Sequence, residues 1–153
     1  MIGFHRLLIF LTIFIYETNE RRPPQYEYLT AITGELKCKY KVGKGAVITL
    51  FTKEGIKRRE RVLSSKFVEY RNTFFISGTI RSFLIPSFYL KIYHVCTASK
   101  IPYIVKYVKM INWYYITRVE KRGHFLDLSV LELSRLRGQK IRYPRYLKKE
   151  TKF

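Results

Sequence analysis

Carboxylates are scarce in this sequence. Eleven Asp and Glu stand against thirty Lys and Arg, so the chain carries +19 at neutral pH. A field of that sign attracts polyanions over about a Debye length, roughly 8 Å in physiological salt. Histidine and cysteine are scarcer still: His5, His94, His124, Cys38 and Cys96 are all there are. A His₂Cys₂ zinc centre would need Cys38, Cys96, His94 and His124 on one metal, and the sequence has no zinc ligand-pair spacing to support it. A glycine-rich phosphate loop and a Ser/His/Asp pattern are both missing, and Asp127 and Glu132 form no readable acid–base pair. The reading is of a non-enzyme without cofactor or metal. None of Asn19, Asn72 and Asn112 opens an N-x-S/T glycosylation site. No apolar run beyond residue 16 is long enough to cross a bilayer of ~30 Å as a helix.

What opens the chain is a different kind of segment. Arg6 precedes a ten-residue apolar run, Leu7 to Tyr16, and a polar exit, Glu17-Thr18-Asn19-Glu20. A basic start, a short apolar centre and a polar end make a secretory signal, assigned to residues 1–18. No small-x-small triplet marks the cut, and a buried N-terminal helix or strand is the alternative. Residues 1–20 hold Arg6, Glu17 and Glu20, a net of −1, so the remainder carries +20.

Residues 19–28, with Arg21-Arg22-Pro23-Pro24, read as a stiff basic linker. From Leu29 the pattern is one of short strands. Leu36, Cys38 and Tyr40 alternate with Glu35, Lys37 and Lys39. The glycines and lysines of 41–45 make a turn, and 46–52 is β-branched and apolar. Lys53 to Lys66 reads as an exposed loop or edge, 73–80 as a strand whose Gly78 marks a bulge or close approach. In 88–95, Phe88, Leu90, Ile92 and His94 share one face, and Tyr89, Lys91, Tyr93 and Val95 the other. Further strands are expected over 103–111 and 125–133, although 128–133 also permits a helix. From 135 to 153 the chain reads as a mobile cationic tail.

About seven strands predict an antiparallel β-sandwich over residues 29–134. Cys38 and Cys96 both fall on faces expected inward, where one disulfide could bridge the core; two unpaired buried thiols are the alternative. Thirteen Tyr and eleven Phe suit strand faces.

Four segments in order resemble the nematode transthyretin-like family. They are Ile32-Thr33-Gly34-Glu35-Leu36-Lys37-Cys38 with Ala46 to Phe51, then Phe74 to Gly78, then Leu90 to Cys96 behind Ile85-Pro86, then Phe125 to Leu133. The resemblance covers residues 29–134 and implies a secreted domain with the transthyretin-type sandwich. Val42, Asn72, Val95, Asn112 and Ser129 stand where the family has Pro, Gly, Asp, Pro and Gly. Hydroxyisourate hydrolases share that fold and carry a C-terminal Tyr-Arg-Gly-Ser; this chain ends Glu150-Thr151-Lys152-Phe153.

Two basic clusters are the candidate binding sites: Lys57, Arg58, Arg59 and Arg61, and Arg135, Arg137, Lys140, Arg142, Arg145, Lys148 and Lys149. Outside a cell the matching partner is an anionic membrane surface, a sulfated glycan or an acidic protein. Some members of the resembled family bridge to phosphatidylserine on dying cells. The bland alternative is a solvated, solubilising surface. A carrier of a small hydrophobic ligand is a further reading, by analogy with transthyretin. Nucleic-acid binding fits the basic, Tyr-rich composition but lacks a recognisable motif.

Overall fold

The computed structural model describes residues 24–40, 42–54, 59–99 and 103–141. Strands make up 63% of them and no α-helix occurs among them, so the domain is all-β. The strands are β1 (Tyr26–Lys37), β2 (Gly45–Glu54), β3 (Arg59–Glu69), β4 (Thr73–Ser82), β5 (Phe88–His94), β6 (Ile104–Met110), β7 (Thr117–Arg118), β8 (Leu126–Glu132) and β9 (Gln139–Ile141). Two short 3-10 turns, Trp113–Tyr115 and Leu133–Arg135, complete the set.

They form two sheets. In the first, β4 flanks β1 on one side, while β7 and β8 share its other side, β7 near Tyr28 and β8 from Ile32 to Lys37. The second has the order β3-β2-β5-β6-β9. Alternation places one face of each sheet inward, and Ile32, Leu36, Ile48, Leu50, Phe88, Leu90 and Ile92 are essentially sealed from water. Burying each such side chain contributes about 1.5–3 kcal/mol.

Cys38, just past β1, and Cys96, just past β5, are joined by a disulfide, with Cα atoms 5.7 Å apart. It ties the two sheets together at one end. With its ends 58 positions apart in the sequence, it stabilises by about 4 kcal/mol on the chain-entropy account.

Three expectations need correction. The sandwich is not wholly antiparallel, because β8 runs parallel to β1. A parallel pair needs a long crossover, and here β2 to β7 supply it. The domain begins at Tyr26 rather than Leu29, since Tyr26 to Tyr28 pair with Ile80 to Ser82 and carry the ladder into the predicted linker. It also runs past residue 134: Gln139–Ile141 pair with Ile104 to Lys106, so the first part of the predicted tail is a sheet edge. The strand expected over 125–133 is present as β8 and runs into the second 3-10 turn, and the helix that 128–133 also permitted does not form.

The β1–β8 register slips between Thr33 and Glu35, where β8 uses one residue more than β1. Ser129 absorbs the slip with φ of 50°, and its N–H donates to Asp127 Oδ1 at 2.7 Å. That left-handed position favours glycine, the residue the family resemblance led one to expect there. Gly78 does mark a close approach. A Cβ there would lie 2.8 Å from Leu63 Cβ, so β3 packs over β4 only because the side chain is missing.

A lysine–aromatic face on the second sheet

Among the described residues, the two predicted basic clusters lie apart. Arg59 and Arg61 lie on β3, at one edge of the five-stranded sheet. Lys140 lies on β9, at the opposite edge, with its ammonium 5.0 Å from the Tyr103 ring centroid. Four strand spacings of ~4.8 Å separate those edges, roughly 19 Å. Arg135 and Arg137 are exposed beside the second 3-10 turn. The predicted signal segment, and Lys57, Arg58, Arg142, Arg145, Lys148 and Lys149, lie outside the described residues.

Between the two edges is a feature that single-strand patterning misses. The outward side of the sheet carries Phe51, Lys53, Glu60, Tyr89, Lys91, Tyr93 and Lys106, brought together by register. Phe51 faces Tyr89, Lys53 faces Glu60 and Tyr93 faces Lys106. Phe51 and Tyr89 stack with centroids 5.2 Å apart. Lys53 Nζ lies 4.6 Å over Tyr89, and Lys91 Nζ lies 4.3 Å over Phe51 and 6.0 Å from Tyr93. Ring faces attract cations, by about 0.5–2 kcal/mol per contact depending on exposure.

Lys91 faces outward and is still 5% exposed. Its stem lies among the rings and its ammonium donates to Glu60 Oε2. The Lys91 hydrogen bond is the main reason that Glu60 is held below its ordinary pKa. Burial opposes it, and the charges of Lys91, Lys106 and Lys53 add to it. Three ammonium groups thus act on one carboxylate, which neutralises a single charge and leaves the face cationic. Around it, Val62, Phe67, Val108 and Met110 are exposed. The alternation of Tyr89, Lys91 and Tyr93 is visible in the sequence; their meeting with Phe51, Lys53 and Lys106 is not.

Other polar groups serve the framework. Glu132 accepts from Ser134 Oγ at 2.7 Å, Ser134 N at 3.2 Å and Lys39 N at 3.0 Å; its pKa is lowered chiefly by the Ser134 hydroxyl. His94 points into the core, 3% exposed, with neither ring nitrogen hydrogen-bonded among the described residues. Burial lowers its pKa to about 4, so the ring is neutral near pH 7. Among the described residues no three His, Cys, Asp or Glu side chains gather to hold a metal. A depression of about 180 Å³ lies on the other sheet, lined by Leu29, Ala31, Tyr115, Lys121, His124 and Phe125. That is smaller than the ~300–1,000 Å³ of most small-molecule sites.

The fold and this surface define an all-β, disulfide-bonded domain of two sheets with a cationic, aromatic outer face. No family model matches the chain. No curated protein matches it either. Among solved structures it is similar to a 9R-lipoxygenase from Cyanothece PCC8801, at 12% identity and a TM-score of 0.34, over 69% of this chain and 16% of that one. The chain therefore spans under a fifth of that enzyme's length.

Proposed function

We propose that this is a secreted, non-enzymatic binding protein with a transthyretin-like sandwich, and that it engages an anionic extracellular partner. The observation that carries the partner class is the outer sheet face. There Lys53, Lys91 and Lys106 act on one carboxylate, Glu60, in a chain of net charge +19. Lys91 is sealed against Glu60, which leaves Lys53 and Lys106 to meet an anion, and the Tyr89 ring holds the Lys53 ammonium, so less side-chain entropy is lost when one arrives. The family part of the reading is supported by the four resembling segments. They contribute to β1, β2, β4, β5 and β8, and their inward apolar positions, among them Ile32, Leu36, Ile48, Ile76 and Leu90, line one core. The disulfide is compatible with an oxidising, extracellular compartment. No helix among the described residues is long and apolar enough to cross a membrane.

The test is binding of residues 19–153 to phosphatidylserine vesicles, heparin and polyglutamate, with RNA and uncharged phosphatidylcholine vesicles alongside. Binding to at least one extracellular polyanion that weakens as salt rises is expected. No binding to any of the three near physiological salt would refute the reading, and RNA as the sole strong ligand would favour an intracellular one.

A further inference from the structure

Strand β3 is the terminal strand of its sheet, and among the described residues it pairs with β2 alone. At eleven residues it is about twice the usual strand length, so it offers a long row of backbone groups for pairing. The β2 register divides its side chains into two kinds. Val62 lies opposite Phe51 and Phe67 opposite Val47, on the outward face, where both are more than half exposed. Arg61 lies opposite Thr52 and Lys66 opposite Ile48, on the other face, where both emerge at the rim of the sandwich and are exposed. On the outward side Val62 and Phe67 stand among Glu60, Ser65 and Glu69, whereas the charges of the other side, Arg59, Arg61 and Lys66, are all cationic.

We propose that the edge of β3 takes up an extended acidic peptide segment by strand addition, the segment alternating apolar residues with Asp or Glu. An added strand continues the main-chain ladder, and its side chains alternate between faces with period two. β3 holds one residue more than β2 between Val62 and Ser64, so an added strand that passes this extra residue as β2 does would place one set beside Val62 and Phe67 and the other beside Arg61 and Lys66. Neighbouring side chains on a shared face sit ~4.5–5.5 Å apart, within reach for ion pairing. A second copy of this chain is the wrong occupant: β3 against β3 brings arginine and lysine near arginine and lysine, between molecules of +19. Arg61 already bonds Glu54 at 3.0 Å, but both groups are exposed, and such pairs are worth about 1 kcal/mol or less. The inference rests on the anionic-partner reading above, names the partner class, and adds to the outer face a second place of contact at the sheet's edge.

A fluorescent, end-capped peptide of alternating valine and aspartate, as long as β3, is the probe. Its controls are a block-scrambled peptide of the same composition and a version N-methylated on alternate residues, which cannot complete the ladder. Heparin is titrated in parallel. The alternating peptide is expected to bind about tenfold more tightly than either control, and the double variant R61E/K66E to lose about tenfold. Amide exchange is expected to slow within Arg59–Glu69. Both substituted residues are exposed, and an unchanged melting temperature certifies the fold. If heparin binds but the three peptides bind alike, or protection falls outside β3, strand addition is overturned and the anionic-partner reading stands. If neither heparin nor any peptide binds, both fall.

Discussion

The Lys91 ammonium stands 4.3 Å above the centre of the Phe51 ring, on the outward face of a sheet, and is almost sealed from water. Its carboxylate partner, Glu60, comes from the edge strand, so this contact fastens β3 across β2 to β5. Replacing Glu60 with Gln leaves a buried ammonium with a neutral acceptor. The expected cost is about 1–3 kcal/mol in denaturant unfolding. Lys91→Met keeps the stem on the rings and removes the charge, and should cost under ~1.5 kcal/mol. A Glu60→Gln chain as stable as the parent would show that the pair contributes nothing.

His94 gives the fold an acid sensitivity. Its folded pKa of about 4 lies below the unfolded value near 6.5, so the unfolded chain binds its proton first. The contribution is fully present above pH ~6.5 and is lost as pH falls toward 4, by up to about 3 kcal/mol. Glu60 and Glu132, both held below their ordinary values, add losses at more acid pH. His94→Leu should flatten the stability profile between pH 6.5 and 4 while leaving the more acid loss in place. A variant whose profile retains the parent's slope in that window would assign the proton elsewhere.

Ser129 sits at φ of 50° in the β8 bulge. Ser129→Gly relieves the steric cost and should raise stability by up to about 1 kcal/mol, less the wider freedom glycine has when unfolded. The melting temperature reads it directly, and a fall would mean that another Ser129 contact outweighs the strain.

Removing the disulfide with Cys38→Ala and Cys96→Ala together should cost about 4 kcal/mol. Denaturant midpoints of the double variant and the parent, both oxidised, measure it. A loss below about 1 kcal/mol would mean that the sheets are held at that end by packing alone.

The strands that alternate cleanly were legible in the sequence: β2, β4, β5 and β6 fall within a few residues of their expected places. The inward set Phe88, Leu90, Ile92 and His94 is the buried one. Strand β3 read only as a loop or edge, since an edge strand is solvated and its charges hide the alternation. The parallel direction of β8 was not legible, because local pattern carries no information about which way a distant neighbour runs. The lysine–aromatic face escaped for the same reason. Phe51 and Tyr89 are far apart in the chain and become neighbours only through the β2–β5 register. The basic clusters were visible as composition, but not that Arg61 and Lys140 occupy opposite edges.

The most direct test of an anionic partner gripped by the outer sheet face is a salt series of heparin affinity for the parent and for K53Q/K106Q. Both lysines are on strands of that face, and neither makes the buried pair with Glu60. Weaker binding in the variant and a shallower fall of affinity with salt are expected, with a melting temperature lowered by at most a few degrees through loss of the Lys53–Tyr89 contact. Identical affinity and identical salt dependence in parent and variant would contradict it.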